Sequence, residues 1–175
     1  VSMGSIIGGL YSVGYTADSI TKLLNIIDWN TFLSNKIREN KVIFLEKDNF
    51  YHSIISLPLS FNKVIFPSGL INGQQFENIL SFYTWGAADI NDFSKLPIPF
   101  MCLATDIITF RKIDLKAGYL ADALRASSAV PSIFTPIKID TLLLLDGGLI
   151  RNFAVNEAIE MGADIIIGSY CGSHA

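Results

Sequence analysis

The chain has 175 residues, half of them hydrophobic, with a mean hydropathy of +0.42, which excludes a disordered chain and leaves room for one domain, residues 1–175, with a full core. Thirteen basic against sixteen acidic residues give a net charge of −3, and no basic run exceeds two residues, so nothing points to nucleic acid. A lipid interface is compatible with this surface.

Residues 1–17 carry no charged side chain, yet four glycines, no basic n-region and too short a length argue for a buried helix rather than a signal or membrane segment. Two Ser-x-Gly matches lie here, Ser2-Met3-Gly4 and Ser12-Val13-Gly14, and about one is expected by chance. Their contexts differ. Ser2 precedes Ile6, Ile7, Gly8, Leu10 and Tyr11, an apolar helical pattern with small residues one turn apart where the helix is expected to pack closely on a sheet, so Ser2 sits at a helix start. Gly14 reads as the C-terminal stop of the same helix. The residues alone leave Ser2 open between an ordinary N-cap and the nucleophile of a strand-to-helix elbow. In an elbow the turn exposes the hydroxyl and Gly4 gives clearance. The amides of Met3 and Gly4, with the helix dipole, then face developing negative charge.

Thr16 reads as the N-cap of a helix over 17–27 with Ile20, Leu23, Leu24 and Ile27 on one stripe, followed by a short helical turn over 28–33. Lys41 to Glu46 reads as a strand, and 51–66, which contains Pro58, as a hairpin or edge strands. Pro67-Ser68-Gly69 is a turn, and Asn72-Gly73 precedes a helix over 74–85. Residues 100–107 read as a buried strand, 109–115 as its neighbour and 117–127 as a helix ending before Pro131. A four-leucine strand, 142–145, delivers Asp146 to its C-terminal edge; 155–161 reads as a helix stopped by Gly162, and 164–167 as another buried strand. Strands alternating with helices, the strands continuously apolar, predict an α/β domain with a mostly parallel central sheet covered on both faces. Ligands collect at the carboxyl ends of such strands, where Ser2 and Asp146 both belong.

Asp146-Gly147-Gly148 is rarer than Ser-x-Gly, expected by chance only a few times in a hundred, and a tight turn explains it without chemistry. Cys102 and Cys171 each adjoin apolar runs and read as buried thiols rather than a disulfide or metal pair. His52 and His174 read as surface residues rather than members of a catalytic triad. No metal-ligand spacing is present, so neither a metal nor an organic cofactor is expected.

With these residues in hand, the sequence resembles the patatin-like phospholipases over most of its length. The likeness runs from the elbow, Ser2-Met3-Gly4 to Gly8, through Leu10-Tyr11 and Gly14-Tyr15. It continues in Leu96-Pro97-Ile98-Pro99-Phe100 leading to Ala104-Thr105-Asp106, in Leu124-Arg125-Ala126-Ser127 with Pro131, and in Phe134-Thr135-Pro136. It closes with Asp146-Gly147-Gly148-Leu149, Asn152 and Met161-Gly162-Ala163-Asp164. The resemblance implies a three-layer α/β/α sandwich and hydrolysis of fatty acyl esters, with Ser2 as nucleophile, Asp146 as its partner, and Met3 and Gly4 supporting the oxyanion. A carboxylate base needs no histidine once desolvation raises its pKa. Arg125 and Asp106 match family positions and read as an ion pair or loop hydrogen bonds.

Two departures stand out. Ala154 replaces a proline found in many relatives. The chain also begins with Val1 inside the elbow, so a strand and a Gly-Gly-Gly-x-Arg/Lys-Gly oxyanion loop are expected upstream of it, and residues 1–175 alone are expected to be weak or inactive. The other readings are acyl transfer by the same chemistry, a non-catalytic lipid-binding or envelope-associated domain, and a nucleotide-binding domain. The last lacks both Gly-x-x-x-x-Gly-Lys and Gly-x-Gly-x-x-Gly. The expected partner is a lipid or acyl ester, with peripheral membrane contact compatible.

Overall fold

A computed structural model describes residues 1–27, 59–60, 63–64, 69–71 and 73–170. The expected turn over 28–33, the strand at 41–46, His52, Cys171 and His174 lie outside them. The described helices are α1 (Met3–Ser12), α2 (Ala17–Ile26), α3 (Gln74–Thr84), α4 (Leu120–Ser127) and α5 (Val155–Glu160). The strands are β1 (Leu59–Ser60), β2 (Lys63–Val64), β3 (Gly69–Ile71), β4 (Cys102–Asp106), β5 (Arg111–Leu115), β6 (Ser132–Phe134), β7 (Ile137–Ile139) and β8 (Leu142–Asp146).

The larger sheet has the order β5-β4-β8-β7 and is antiparallel throughout, with Ala104 opposite Asp146 and Ile139 opposite Leu142. This corrects the expectation of a mostly parallel sheet. Continuous burial goes with crossover connections in parallel sheets, but here short reversals join β4 to β5 and β7 to β8, and short reversals make antiparallel pairs. The reversals carry the backbone signature of tight turns: Phe110 and Asp140 both take φ 53°. The only parallel pair among the described residues is β3 with β6, Gly69 facing Ser132 and Ile71 facing Phe134. The run 164–167 is a second correction. It forms no strand, and Ile165 and Ile167 are exposed: the run pairs with no strand of the described residues, and an apolar run without a partner makes no ladder.

Helix α4 is the centre of the packing. Its residues Leu120, Ala121, Ala123, Leu124, Arg125, Ala126 and Ser127 are all buried, between the sheet (β4, β8) and a second tier made by α1 and α3. A helix mostly of apolar and small residues belongs in an interior, and its one large charged side chain there, Arg125, is buried with it. Alanines on α4 and glycines on α1 set the spacing: a Cβ on Gly9 would lie 2.6 Å from Leu124 Cδ2, and one on Gly8 would lie 3.2 Å from the Phe100 ring. The small residues one turn apart in α1 are therefore a packing face, but one that meets α4 and Phe100 rather than the sheet that the sequence suggests. Helix α1 ends as expected at Gly14, φ 108°, in a Schellman motif with Tyr15 N–H donating to the Leu10 carbonyl and Gly14 N–H to that of Tyr11. Thr16 caps α2, its hydroxyl accepting from Ser19 N–H at 3.2 Å.

Candidate active site

Ser2 stands immediately before α1 with φ 53° and ψ −134°, a region that non-glycine residues rarely occupy and that costs about 1–3 kcal/mol. Its side chain makes no capping hydrogen bond. The N-cap alternative therefore fails on geometry: the backbone is strained and the hydroxyl is not spent on the helix. The Ser2 carbonyl instead accepts from the Ser5 amide at 2.9 Å and the Ser5 hydroxyl at 2.6 Å. Met3 and Gly4, at the first turn, are exposed, and their amides have no described acceptor, as first-turn amides of a helix do not. A Cβ on Gly4 would meet nothing within 4 Å, so the surface beside Ser2 is open on that side.

Asp146 ends β8 and is buried. Its Oδ1 accepts from Gly148 N–H at 2.7 Å, which turns the chain and fixes the carboxylate; Oδ2 accepts no hydrogen bond from the described residues. The glycines that follow are required by space. A Cβ on Gly147 would fall on the Leu103 carbonyl oxygen of β4, and one on Gly148 would lie 3.0 Å from Asp146 Oδ1. The tight-turn reading of Asp-Gly-Gly thus holds, and the turn itself orients the carboxylate.

Both residues are anchored through their backbone amides near the end of α4. Ser2 N–H donates to the Ser127 carbonyl at 3.0 Å and Asp146 N–H to the Ala129 carbonyl at 2.9 Å, so acceptors two residues apart position both. No direct hydrogen bond joins the Ser2 hydroxyl to Asp146 among the described residues; in unliganded sites such bonds are often long. Chemically, the arrangement offers a hydroxyl on a strained turn, a buried carboxylate and unpaired amides.

The other candidates have structural duties. Asp106 accepts from the amides of Ile108, Thr109 and Leu143 and from the Thr109 hydroxyl, and these bonds, the hydroxyl's foremost, hold its carboxyl below the usual range. Buried Arg125 donates to the Thr135 carbonyl at 3.1 Å and stacks over Phe134 at 4.9 Å, and its guanidinium occupies the space a Cβ on Gly73 would need. Burial pushes the Cys102 thiol up to about 12, so it is a packed thiol and no nucleophile. An ion-pair cluster escaped the sequence reading: buried Glu157 on α5 meets Lys112 Nζ at 2.7 Å and Arg151 Nε at 3.6 Å. Its members are scattered along the chain, and no spacing signals them.

An α/β domain with a strained serine at a helix start and a buried aspartate at a strand end is the class these features define. A profile of the patatin-like phospholipase family matches residues 1–159, and the chain belongs to that family. It is similar to an uncharacterized NTE family protein of Mycobacterium tuberculosis, 24% identical over 183 residues, covering 99% of this chain and 40% of that protein. It is also similar to the lysophospholipase NTE1 of Scheffersomyces stipitis, 28% identical across 98% of this chain but 9% of that protein, and to that of Pyricularia oryzae, 35% identical across 53% and 6%. The chain thus spans two fifths or less of the length of these relatives.

Proposed function

We propose that the chain carries a lipid acyl ester hydrolase site that works through an acyl-enzyme on Ser2, with Asp146 as its base. The observation that carries this reading is Ser2 itself: a residue held in a costly conformation with its hydroxyl left unused by the helix is explained by a function for that hydroxyl. Membership of the family and relatives named lysophospholipases favour a lipid ester as substrate.

In the proposed mechanism the Ser2 hydroxyl attacks the ester carbonyl as its proton passes to Asp146. The amides of Met3 and Gly4 donate to the oxyanion that forms. As the tetrahedral intermediate collapses, the C–O bond to the alcohol breaks and the alcohol leaves with the proton from Asp146. Water then attacks the acyl-Ser2 ester, giving its proton to Asp146, and the fatty acid departs as that proton returns to Ser2. An alcohol in place of water at this step gives acyl transfer.

The test is covalent labelling with a fluorophosphonate and location of the adduct by peptide mass spectrometry. Label at Ser2, lost in Ser2→Ala and reduced about a hundredfold or more in rate in Asp146→Asn, is the expected result. Label that persists in Ser2→Ala, or none at Ser2 in the parent chain, overturns the reading.

A further inference from the structure

Asp146 is bracketed by a circuit of contacts that closes on Glu157. In the register of the antiparallel sheet, Leu145, the residue before Asp146, lies opposite Thr105 of β4, and Thr105 lies opposite Lys112 of β5. Residues paired in this way share a face of the sheet, so Lys112 stands in the row that ends beside Asp146. Its Nζ meets Glu157 Oε1 at 2.7 Å and Asp114 Oδ1 at 2.9 Å. On the other side, the Gly147 carbonyl accepts from the amides of Ile150 at 3.2 Å and Arg151 at 3.0 Å, and Arg151 Nε lies 3.6 Å from the same Glu157 oxygen. One carboxylate thus joins the strands that deliver Asp146 to the turn that follows it.

Stability alone does not explain this carboxylate. Glu157 is buried, and its Oε2 has no hydrogen-bond partner among the described residues. An apolar pair of similar volume at 112 and 157 would hold the fold as well or better, because the desolvation of two charges offsets their attraction. What a short charge-assisted bond adds over apolar packing is a fixed distance and direction. Asp146 needs both, since Gly148 N–H is the one described donor to its carboxylate, and Gly148 lies within the segment that Glu157 secures. A misplacement of about 1 Å in a reacting group costs about a hundredfold in rate. We infer that Glu157 is a positioning residue: with Lys112 and Arg151 it fixes the Asp-Gly-Gly turn, and so holds the Asp146 carboxylate where it can serve Ser2. Its effect on the reaction rests on the hydrolase reading; its hold on the turn does not.

Two measurements on the full chain test it, both on the double variant Lys112→Met and Glu157→Met. This variant removes both charges, leaves Asp114 with Lys116 at 3.9 Å, and is expected to melt close to the parent. In the first measurement, amide hydrogen exchange is followed by NMR. Exchange at Gly148 is expected to rise about tenfold or more while that at Leu124, in the interior of α4, stays unchanged. No change at Gly148 overturns the proposal, and so does an equal rise at both, which reports a general loosening of the fold. In the second, the rate of fluorophosphonate labelling at Ser2 is followed against reagent concentration. The maximal rate is expected to fall about tenfold at an unchanged half-saturating concentration, and Glu157→Gln, which keeps an oxygen for Lys112, to lose no more than about threefold. An unchanged maximal rate in the double variant removes Glu157 from the reaction and overturns the proposal. If circular dichroism shows the double variant unfolded, Arg151→Met cuts the circuit at its most exposed member, and the same two changes are expected. No label at Ser2 in the parent is a failure of the hydrolase reading and of the role in catalysis with it, and exchange at Gly148 then still decides whether Glu157 holds the turn.

Discussion

The Ser2 amide donates to the Ser127 carbonyl at 3.0 Å, which ties the strained turn before α1 to the last residue of the buried helix α4. This anchor, with the Ser5 hydroxyl on the Ser2 carbonyl at 2.6 Å, holds a conformation that serine would not adopt alone. Ser2→Gly relieves the strain, because glycine has no Cβ to clash at positive φ, whereas Ser2→Ala keeps it. Ser2→Gly is expected to be about 1 kcal/mol more stable than Ser2→Ala, about 2–4 °C in Tm for a chain of this size. Paired thermal melts measure the difference, and equal melting temperatures would sink the strain account.

Glycines in the two motifs differ in what surrounds them. Gly147→Ala drives a methyl into the Leu103 carbonyl of β4 and is expected to cost about 3 kcal/mol, at the upper end for overpacking, and to displace Asp146 with it. Gly4→Ala meets open space inside a helix and is expected to gain up to about 1 kcal/mol from helix propensity. Urea denaturation of both variants checks the opposite signs.

Glu157 is 1% exposed and its partner Lys112 is 27% exposed. Lys112→Met leaves the buried carboxylate with Arg151 at 3.6 Å, and a cost of about 2 kcal/mol is expected, below the 3–5 kcal/mol of a fully buried pair because solvent screens Lys112. Arg151→Met, which removes the longer and more exposed contact, is expected to cost under about 1 kcal/mol. Equal losses in the two variants would contradict this ranking.

Acid weakens the fold through two carboxylates. The Thr109 hydroxyl lowers the pKa of Asp106, and the Lys112 ammonium lowers that of Glu157. A group with a depressed folded pKa contributes stability above its unfolded value, about 3.9 for Asp and 4.3 for Glu, and loses it as pH falls through the folded value. Lys112, raised by the same contact with Glu157, contributes below its unfolded value near 10.4 and loses that contribution as pH rises through its folded value. Stability is therefore expected to fall below about pH 4 and above about pH 10.5, with a shallower acid limb in Asp106→Asn. Urea midpoints across pH measure both limbs.

Cys102, buried and with its thiol pushed up to about 12, is expected to resist iodoacetamide at pH 8 in the folded chain and to react fully in denaturant. Rapid alkylation of the native protein would show that β4 opens.

Local chemistry was legible in the sequence. Thr16 as a cap, Gly14 as a stop, the span of β8 and the packing glycines of α1 each depend on residues a turn or less apart, so their spacing predicts them. The candidate site was legible as two motifs, because a serine before a glycine-bearing helix and a carboxylate before paired glycines are both local patterns. Sheet direction was not: β4 and β8 read as parallel strands, and only their pairing, Ala104 against Asp146, shows them antiparallel. Nor was the fate of Ile165 to Ile167, since a strand depends on a partner elsewhere in the chain, nor the Lys112–Glu157 pair, whose members are 45 residues apart. The sequence by itself determined which residues cap, turn and pack within one element, where the deciding contacts are between near neighbours. Only the tertiary structure decided which strands pair, that Ser2 is strained with its hydroxyl unspent, and that the backbones of Ser2 and Asp146 are both anchored near the end of α4, because those follow from long-range contacts that no local pattern encodes.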